Sequence, residues 1–315
     1  MQPIRLLVPA TDENFDESGY RVANPDVNAA VSRGDLPSGR VHFEAFGRAE
    51  GRCLRRPVPD TAKAAKLERI RPLIRSDASV AARASALDCL PESIRLEFDL
   101  VETDNVSAHE YDEQALALIG RHPEGLVLDC GAGLRNTYYS NVVNYEIVAY
   151  DTTDVLGAAE RLPFADETFD AVLSLNVLEH VKDPFQAARE IIRVMKPGGE
   201  LMVVAPFLQP LHGYPHHYYN MTAQGLENLF ESLSHTRVEV YGAMRPIWAL
   251  NWFLLRYAAS LDTSQREAFE RLTVAELMGD PLMLEREAYA TDLPGKALTE
   301  LASAHALFAV KPEAQ

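Results

Sequence analysis

Apolar residues arrive along this chain in two rhythms. In its middle they come as short runs, Leu126-Val127-Leu128, Phe169 to Leu175 (broken only by Asp170 and Ser174) and Leu201 to Ala205. Runs of that length, bounded by turn residues, predict strands buried on both faces, as in a parallel sheet. The expected strands are Leu126–Leu128, Asn144–Val148, Thr153–Leu156, Phe169–Leu175 and Leu201–Ala205, with Val238–Tyr241 sixth and Ala302–Val310 last. Between the runs the spacing widens to about 3.6 residues, the helical period. Ala115, Leu116, Leu118 and Ile119 give Ser107–Ile119 one apolar face. Phe185, Ala188, Ile191, Ile192 and Met195 make a stripe on a helix that Asp183 caps, Pro184 opens and Lys196-Pro197-Gly198-Gly199 ends. Strands alternating with helices predict an α/β fold, a seven-stranded sheet covered on both faces.

Helical spacing dominates the flanks. In residues 1–56, Asn24 is a candidate cap and Pro25 suits the first helical position, with Val27, Ala30 and Val31 on one face and Val41, Phe43 and Phe46 resuming it. Residues 57–106 read as a helical bridge. A proline-rich hinge, Pro57 to Asp60, leads to a helix over Thr61–Arg75, whose charged residues are expected on a solvated face. Residues 107–315 form the main domain, with a helical insertion at about 246–299 before the last strand. That insertion opens on an apolar and aromatic stretch, Ile247 to Ala259, carrying Trp248, Trp252, Phe253 and Tyr257. It falls short of the roughly 18–20 apolar residues of a transmembrane segment. A lid, or a homodimer contact, is expected of it.

Charge narrows the classes. The 315 residues include 46 acidic against 30 basic, a net charge of −16. Nucleic acid and anionic membrane surfaces both ask for a basic face, so neither is an expected partner. Cys53, Cys89 and Cys130 are scattered and odd in number, which suggests neither a disulfide framework nor a zinc site and fits a reducing cytoplasm. The first residues lack the long apolar core of a secretory signal.

The candidate chemistry begins where the first strand ends, at Asp129-Cys130-Gly131-Ala132-Gly133. Glycines let a backbone turn sharply and approach a ligand, and open parallel sheets bind ligands at the carboxyl ends of their strands. Cys130 reads as a small residue in a crowded turn. Glu146 lies 17 residues past Asp129, in the second strand. A carboxylate there can accept both hydroxyls of a ribose, and Asp151 is the competing choice. The series continues with Ala159-Glu160-Arg161-Leu162-Pro163-Phe164, Asn176-Val177-Leu178-Glu179-His180-Val181 and Arg193-Val194-Met195-Lys196-Pro197-Gly198-Gly199.

This order and spacing resembles the class I S-adenosylmethionine-dependent methyltransferases, closest to their small type 11 group, over Ser107 to Phe230. The resemblance implies a Rossmann-like sheet with an antiparallel last strand and S-adenosylmethionine as cofactor. It implies cofactor contacts at Asp129, Gly131, Ala132, Gly133, Glu146, Ile147, Ala159, Glu160, Asn176 and Val177, with Tyr111 a further contact or a packing residue. Glu179-His180 is expected to shape the turn after the fourth strand. A side chain added at Gly131 would be expected to fill the ligand's place. Three features depart from the pattern. No aspartate stands at 158 or 159 to meet an adenine amino group. The segment Leu134 to Asn144 is too brief for the helix usual there. No third glycine follows Gly133, which also disfavours a nicotinamide dinucleotide. Asn24-Pro25-Asp26-Val27, His42-Phe43, Gly47 and Glu50-Gly51-Arg52 resemble a helical module found beside glycosyltransferase or methyltransferase domains in bacterial glycan and cell-surface biosynthesis.

After the fifth strand comes a loop with three histidines, Pro206 to Met221. His216 and His217, then His212 and Tyr214, are the expected catalytic residues, because histidine moves protons near neutral pH. A metal site and a merely packed loop are the competing readings. The function expected is methyl transfer to a small-molecule or saccharide-like acceptor. The alternative is a non-catalytic, methyltransferase-like docking protein of a glycan-assembly complex.

Overall fold

The structure, a computed structural model, describes residues 3–83, 86–101, 108–213, 216–234, 237–303 and 305. The chain forms two compact units, Met1–Ala205 and Pro206–Gln315. In the first, the strands in chain order are β1 (Ile4–Arg5), β2 (Leu7–Pro9), β3 (Cys53–Arg55), β4 (Ala81–Arg83), β5 (Ala86–Asp88), β6 (Val127–Cys130), β7 (Thr137–Tyr138), β8 (Val142–Glu146), β9 (Val155–Leu156), β10 (Phe169–Leu175) and β11 (Met195–Val204). The main sheet runs β11-β10-β6-β8-β9-β5-β4. All its neighbours pair parallel except β4, which lies antiparallel against β5 at the edge. From β6 the chain moves outward to β8 and β9 on one side and to β10 and β11 on the other. The order therefore reverses between β6 and β10, the place where open α/β sheets take their ligands.

The first five expected strands form, β10 with the expected ends, β6, β8 and β9 shifted by one or two residues, and β11 beginning six residues early at Met195. They form because their residues are buried on both faces. Val127, Leu128, Val142, Val143, Val155, Leu156, Ala171, Val172 and Leu173 are all fully enclosed. The helix Glu113–Arg121 begins at Asp112, whose carboxylate accepts the Ala115 N–H at 2.9 Å. It lays Ala115, Leu118 and Ile119 against Val127, Val142, Ala171 and Leu173. The helix Pro184–Val194 starts as expected, with Asp183 capping the Gln186 N–H at 2.9 Å. Its inward stripe is Ala187, Ala188, Ile191 and Val194, whereas Phe185, expected on that stripe, is exposed.

Several expectations are corrected. The sheet does have seven strands, but β4 and β5 come from residues 81–88, inside the stretch read as a helical bridge. Val238–Tyr241 forms no strand: Val238 and Val240 are exposed, and no described strand lies beside them to complete a ladder. Of the expected last strand, residues 304 and 306–310 lie outside the described residues. The N-terminal module is helical, at Glu17–Ala23, Pro25–Arg33 and Gly39–His42, around Tyr20, Val27, Phe43 and Leu54. Val41 and Phe46 face outward instead of joining that core. Asn24 makes no side-chain cap, and its amide instead donates to the carbonyls of Tyr20 and Cys53. The module also carries β1–β3, with β2 antiparallel to β3 and β1 antiparallel to β7.

The sharpest reversal lies in the helix Asp60–Ile70. Its Lys63 and Lys66 are not solvated but buried beside Ile70. Both ammonium groups close on Asp154, at 3.1 Å and 2.6 Å, and Lys63 also donates to the carbonyls of Asp151 and Thr153. Asp154 accepts besides from the Tyr138 hydroxyl at 2.6 Å and the Asn144 N–H at 2.8 Å. The Lys66 nitrogen lies 3.7 Å from the centre of the Tyr138 ring.

The second unit is helical in its described residues, with its longest helix at Pro246–Ser260. Ala258, Leu261 and Phe269 form its core, with Leu254, Tyr257 and Tyr289 against them. Among the described residues of the chain, no helix is long and apolar enough to cross a membrane.

Removing Asp154 leaves two buried cations without their anion, so Asp154→Ala is expected to cost about 3–5 kcal/mol in urea denaturation. Burial lowers the Lys66 pKa from 10.5 to about 8. Between those values the unfolded chain binds more proton than the folded one, so this group makes stability rise with pH from about 8 toward 10.5 and adds no slope below. Denaturation of Lys66→Met across that range should show the slope reduced relative to the parent.

Candidate functional site

The carboxyl ends of β6, β8 and β10 converge on the glycine turn. Gly131 and Gly133 take φ of +82° and +63°, values that L side chains rarely adopt. The N–H groups of Gly131 and Ala132 both donate to the Tyr145 carbonyl, at 2.9 Å and 3.0 Å, which pins the turn against β8. A Cβ at Gly131 would lie 2.3 Å from Cγ2 of Val177. A side chain there would strike Val177, itself one of the expected cofactor contacts. Asn176, just past β10, has φ +56°, a conformation asparagine tolerates better than most residues, and its N–H donates to the Val204 carbonyl at 2.9 Å. Leu178–His180 follows as a short 3-10 turn with Glu179 buried.

Glu146 is the last residue of β8 and reaches back to the same turn. One carboxylate oxygen accepts the Gly133 N–H at 2.8 Å and the other the Ile147 N–H at 2.7 Å. Burial pushes its carboxyl up, opposed by the backbone N–H groups of Gly133, Ile147 and Val148. Asp151, the competing choice, is taken up by Arg55 at 2.8 Å. After β9, the Ala158 carbonyl accepts the Tyr145 hydroxyl at 2.8 Å, and Ala159 is buried. Glu160 is buried too, with one oxygen accepting the Lys182 N–H at 3.1 Å, and burial pushes its carboxyl up. Burial likewise pushes the Cys130 thiol up, away from a nucleophile's range.

Asp129 is fully buried at the head of the turn. Its Oδ2 receives three donors: the Tyr111 hydroxyl at 2.5 Å and the Arg135 Nε and Nη2 at 2.9 Å and 2.7 Å. Its Oδ1 has no hydrogen-bond partner among the described residues. The Arg135 guanidinium also donates to the His109 carbonyl at 2.8 Å and stacks over the Tyr111 ring at 4.0 Å. Tyr111 is thus tied to the site through Asp129. Its hydroxyl pKa is held well above its usual value by burial first and the Asp129 charge second. Arg135 was not found by sequence reasoning. The one available signal was a cation within the shortened segment after Gly133.

The catalytic candidates belong to the second unit. The His212 and His217 rings meet edge to face at 4.6 Å, and His212 lies 5.0 Å from the Trp252 ring. His217 Nε2 pairs with the Asn220 side-chain oxygen at 2.8 Å. With the proton on Nε2, its Nδ1 accepts the His212 N–H at 3.2 Å. His216 packs 5.2 Å from the Tyr218 ring, and Tyr214 lies outside the described residues.

Residues 128–203 match a methyltransferase domain family. The demethylmenaquinone methyltransferase of Renibacterium salmoninarum is 48% identical over 63 residues, 20% of this chain and 26% of that protein. The ubiquinone/menaquinone biosynthesis C-methyltransferase of Pasteurella multocida is 35% identical over 97 residues, 30% of this chain and 36% of that one. The chain thus spans about a quarter to a third of the length of these curated relatives. Among solved structures, a possible histamine N-methyltransferase from Thermotoga maritima is similar at 24% identity and a TM-score of 0.28, over 37% of this chain and 67% of that one.

Gly131→Ala combines a strained φ with a clash against Val177, and is expected to destabilise by about 1–3 kcal/mol. Adding Val177→Ala should restore part of the urea midpoint by removing the clash while the φ strain stays.

Proposed function

We propose that this chain is an S-adenosylmethionine-dependent methyltransferase acting on a small organic acceptor. The observation that carries the reading is the Asp129 carboxylate. It is buried at the glycine turn of a segment matching a methyltransferase family, with one oxygen fully used and the other without a partner. A buried carboxylate oxygen left open is costly unless a ligand's donor meets it. The cofactor's amino-acid portion carries such a donor, an ammonium, so the residues present fit the group.

In this reading Asp129 takes the ammonium, Glu146 accepts the ribose hydroxyls with its remaining lone pairs, and the turn from Gly131 to Gly133 gives backbone access. Ile147, Ala159, Glu160, Asn176 and Val177 line the rest of the crevice. The bound sulfonium supplies an already electrophilic methyl group. The protein's task is then to hold the acceptor's nucleophilic atom in line and to keep water out, mainly a proximity effect. An oxygen acceptor also has to lose a proton, and His216 and His217 are the proposed groups for that, with His212 and Tyr214 next. Their chemistry supports this: histidine exchanges a proton near neutral pH.

The acceptor is proposed from two directions. The N-terminal module supports a saccharide-like one, in glycan or cell-surface biosynthesis. The relatives' names carry quinones. A homodimer contact through Pro246–Ser260 is supported by the exposure of Ile247, Trp248 and Leu255.

Calorimetric titration with S-adenosylmethionine is expected to show binding, weakened by on the order of 1–3 kcal/mol in Asp129→Asn and in Glu146→Gln. Parent protein that binds no cofactor would return the docking reading. Release of S-adenosylhomocysteine with saccharide against quinol acceptors then sorts the acceptor. For an oxygen acceptor, His216→Ala or His217→Ala is expected to lower turnover by about 10²–10⁴ with cofactor affinity unchanged. Parental turnover in both variants and in the double variant would remove the base assignment.

A further inference from the structure

We propose that the N-terminal module is the support of the glycine turn, with Arg55 as its positioning residue. After Gly133 the described chain forms no helix before β8, only the two-residue strand β7. A strand that short cannot hold itself, and its ladder partner is β1, with Ile4 opposite Tyr138 and Arg5 opposite Thr137. The Asn136 carbonyl accepts the N–H groups of Leu6 and Leu7, at 2.8 Å and 3.3 Å. Arg55, at the end of β3 and buried, adds the third hold. Its guanidinium donates to the Arg135 carbonyl at 2.9 Å, the Asn136 side-chain oxygen at 3.0 Å and the Asp151 carboxylate at 2.8 Å.

The consequence runs through Arg135. Its backbone is fixed from the N-terminal side by Arg55, and its side chain fixes Asp129 Oδ2. Arg55 therefore sets which oxygen of Asp129 stays open, without touching the ligand itself. A planar five-donor fork suits three acceptors in three directions, and a lysine ammonium in its place is a single point charge on a flexible stem.

The binding arm of this inference rests on the proposed S-adenosylmethionine site, and the exchange arm does not. Arg55→Met and Arg55→Lys are made in the full chain. Amide hydrogen exchange of the free protein is followed at residues 134–138 and, as reference, at 169–175. Arg55→Met is expected to speed exchange at 134–138 by about tenfold or more and leave 169–175 at the parental rate. The S-adenosylmethionine Kd should rise by about tenfold, the loss falling on cofactor affinity rather than on turnover at saturating cofactor. Arg55→Lys should lie between the two in both readouts. Parental exchange at 134–138 in folded Arg55→Met overturns the proposal, whatever the cofactor result. If Arg55→Met loses protection at 169–175 as well, Arg55→Lys decides: intermediate exchange confined to 134–138 supports the proposal, and parental exchange overturns it. Parent protein that binds no cofactor, with exchange behaving as expected, rejects the cofactor reading and leaves the support in place.

Discussion

Two carboxylates sit where water does not reach, and much of the first unit is arranged to answer them. Asp129 is the next-to-last residue of β6 and Asp154 precedes β9, both without exposed surface. Such a charge is tolerated only when cations and hydrogen-bond donors surround it. Asp154 is met by Lys63, Lys66, Tyr138 and the Asn144 N–H, and Asp129 by Arg135 and Tyr111. The side-chain donors come from segments outside the main sheet, while one carboxylate lies within β6 and the other leads into β9. The same demand therefore pins the helix Asp60–Ile70, the lead-in to Glu113–Arg121 and the short β7 against the sheet.

The two carboxylates differ in how far they are satisfied. Asp154 uses both oxygens within the protein, and its surroundings hold a structural network. Asp129 crowds its donors onto one oxygen. A closed network rigidifies a fold, whereas here one oxygen of Asp129 is left open among the described residues. The turn beside it is kept from collapsing by backbone bonds to Tyr145, and Glu146 is kept in place by two N–H groups.

What could be read from the sequence was what depends on near neighbours. A run such as Phe169 to Leu175 announces a strand buried on both faces, and β10 is found there. Asp183-Pro184 announces a helix start, and Glu146 does end a strand. Hydrophobic periodicity failed where burial is polar. It put Lys63 and Lys66 in solvent because nothing local reveals an aspartate 91 and 88 positions ahead. Arg55 reads as one more charge until Arg135, Asn136 and Asp151 close around it. The antiparallel pair β4 and β5 was lost in a stretch of small residues, and Val238–Tyr241 alternates like a strand but has none beside it among the described residues. Tertiary pairing, not propensity, decided each of these.

The pairing of β1 with β7 also sets an order of events during synthesis. Ile4 is added to the growing chain 134 residues before its partner Tyr138. At typical elongation rates that interval is on the order of ten seconds. Through it the helices around Tyr20 and Phe43 can gather from local contacts, while β1 waits as a bare edge. The last strands of the main sheet, β10 and β11, emerge only after that edge has been capped. A nascent chain stalled before residue 137 would thus leave unpaired the strand edge that β7 covers in the finished protein, which marks an interval open to chaperone capture or mispairing.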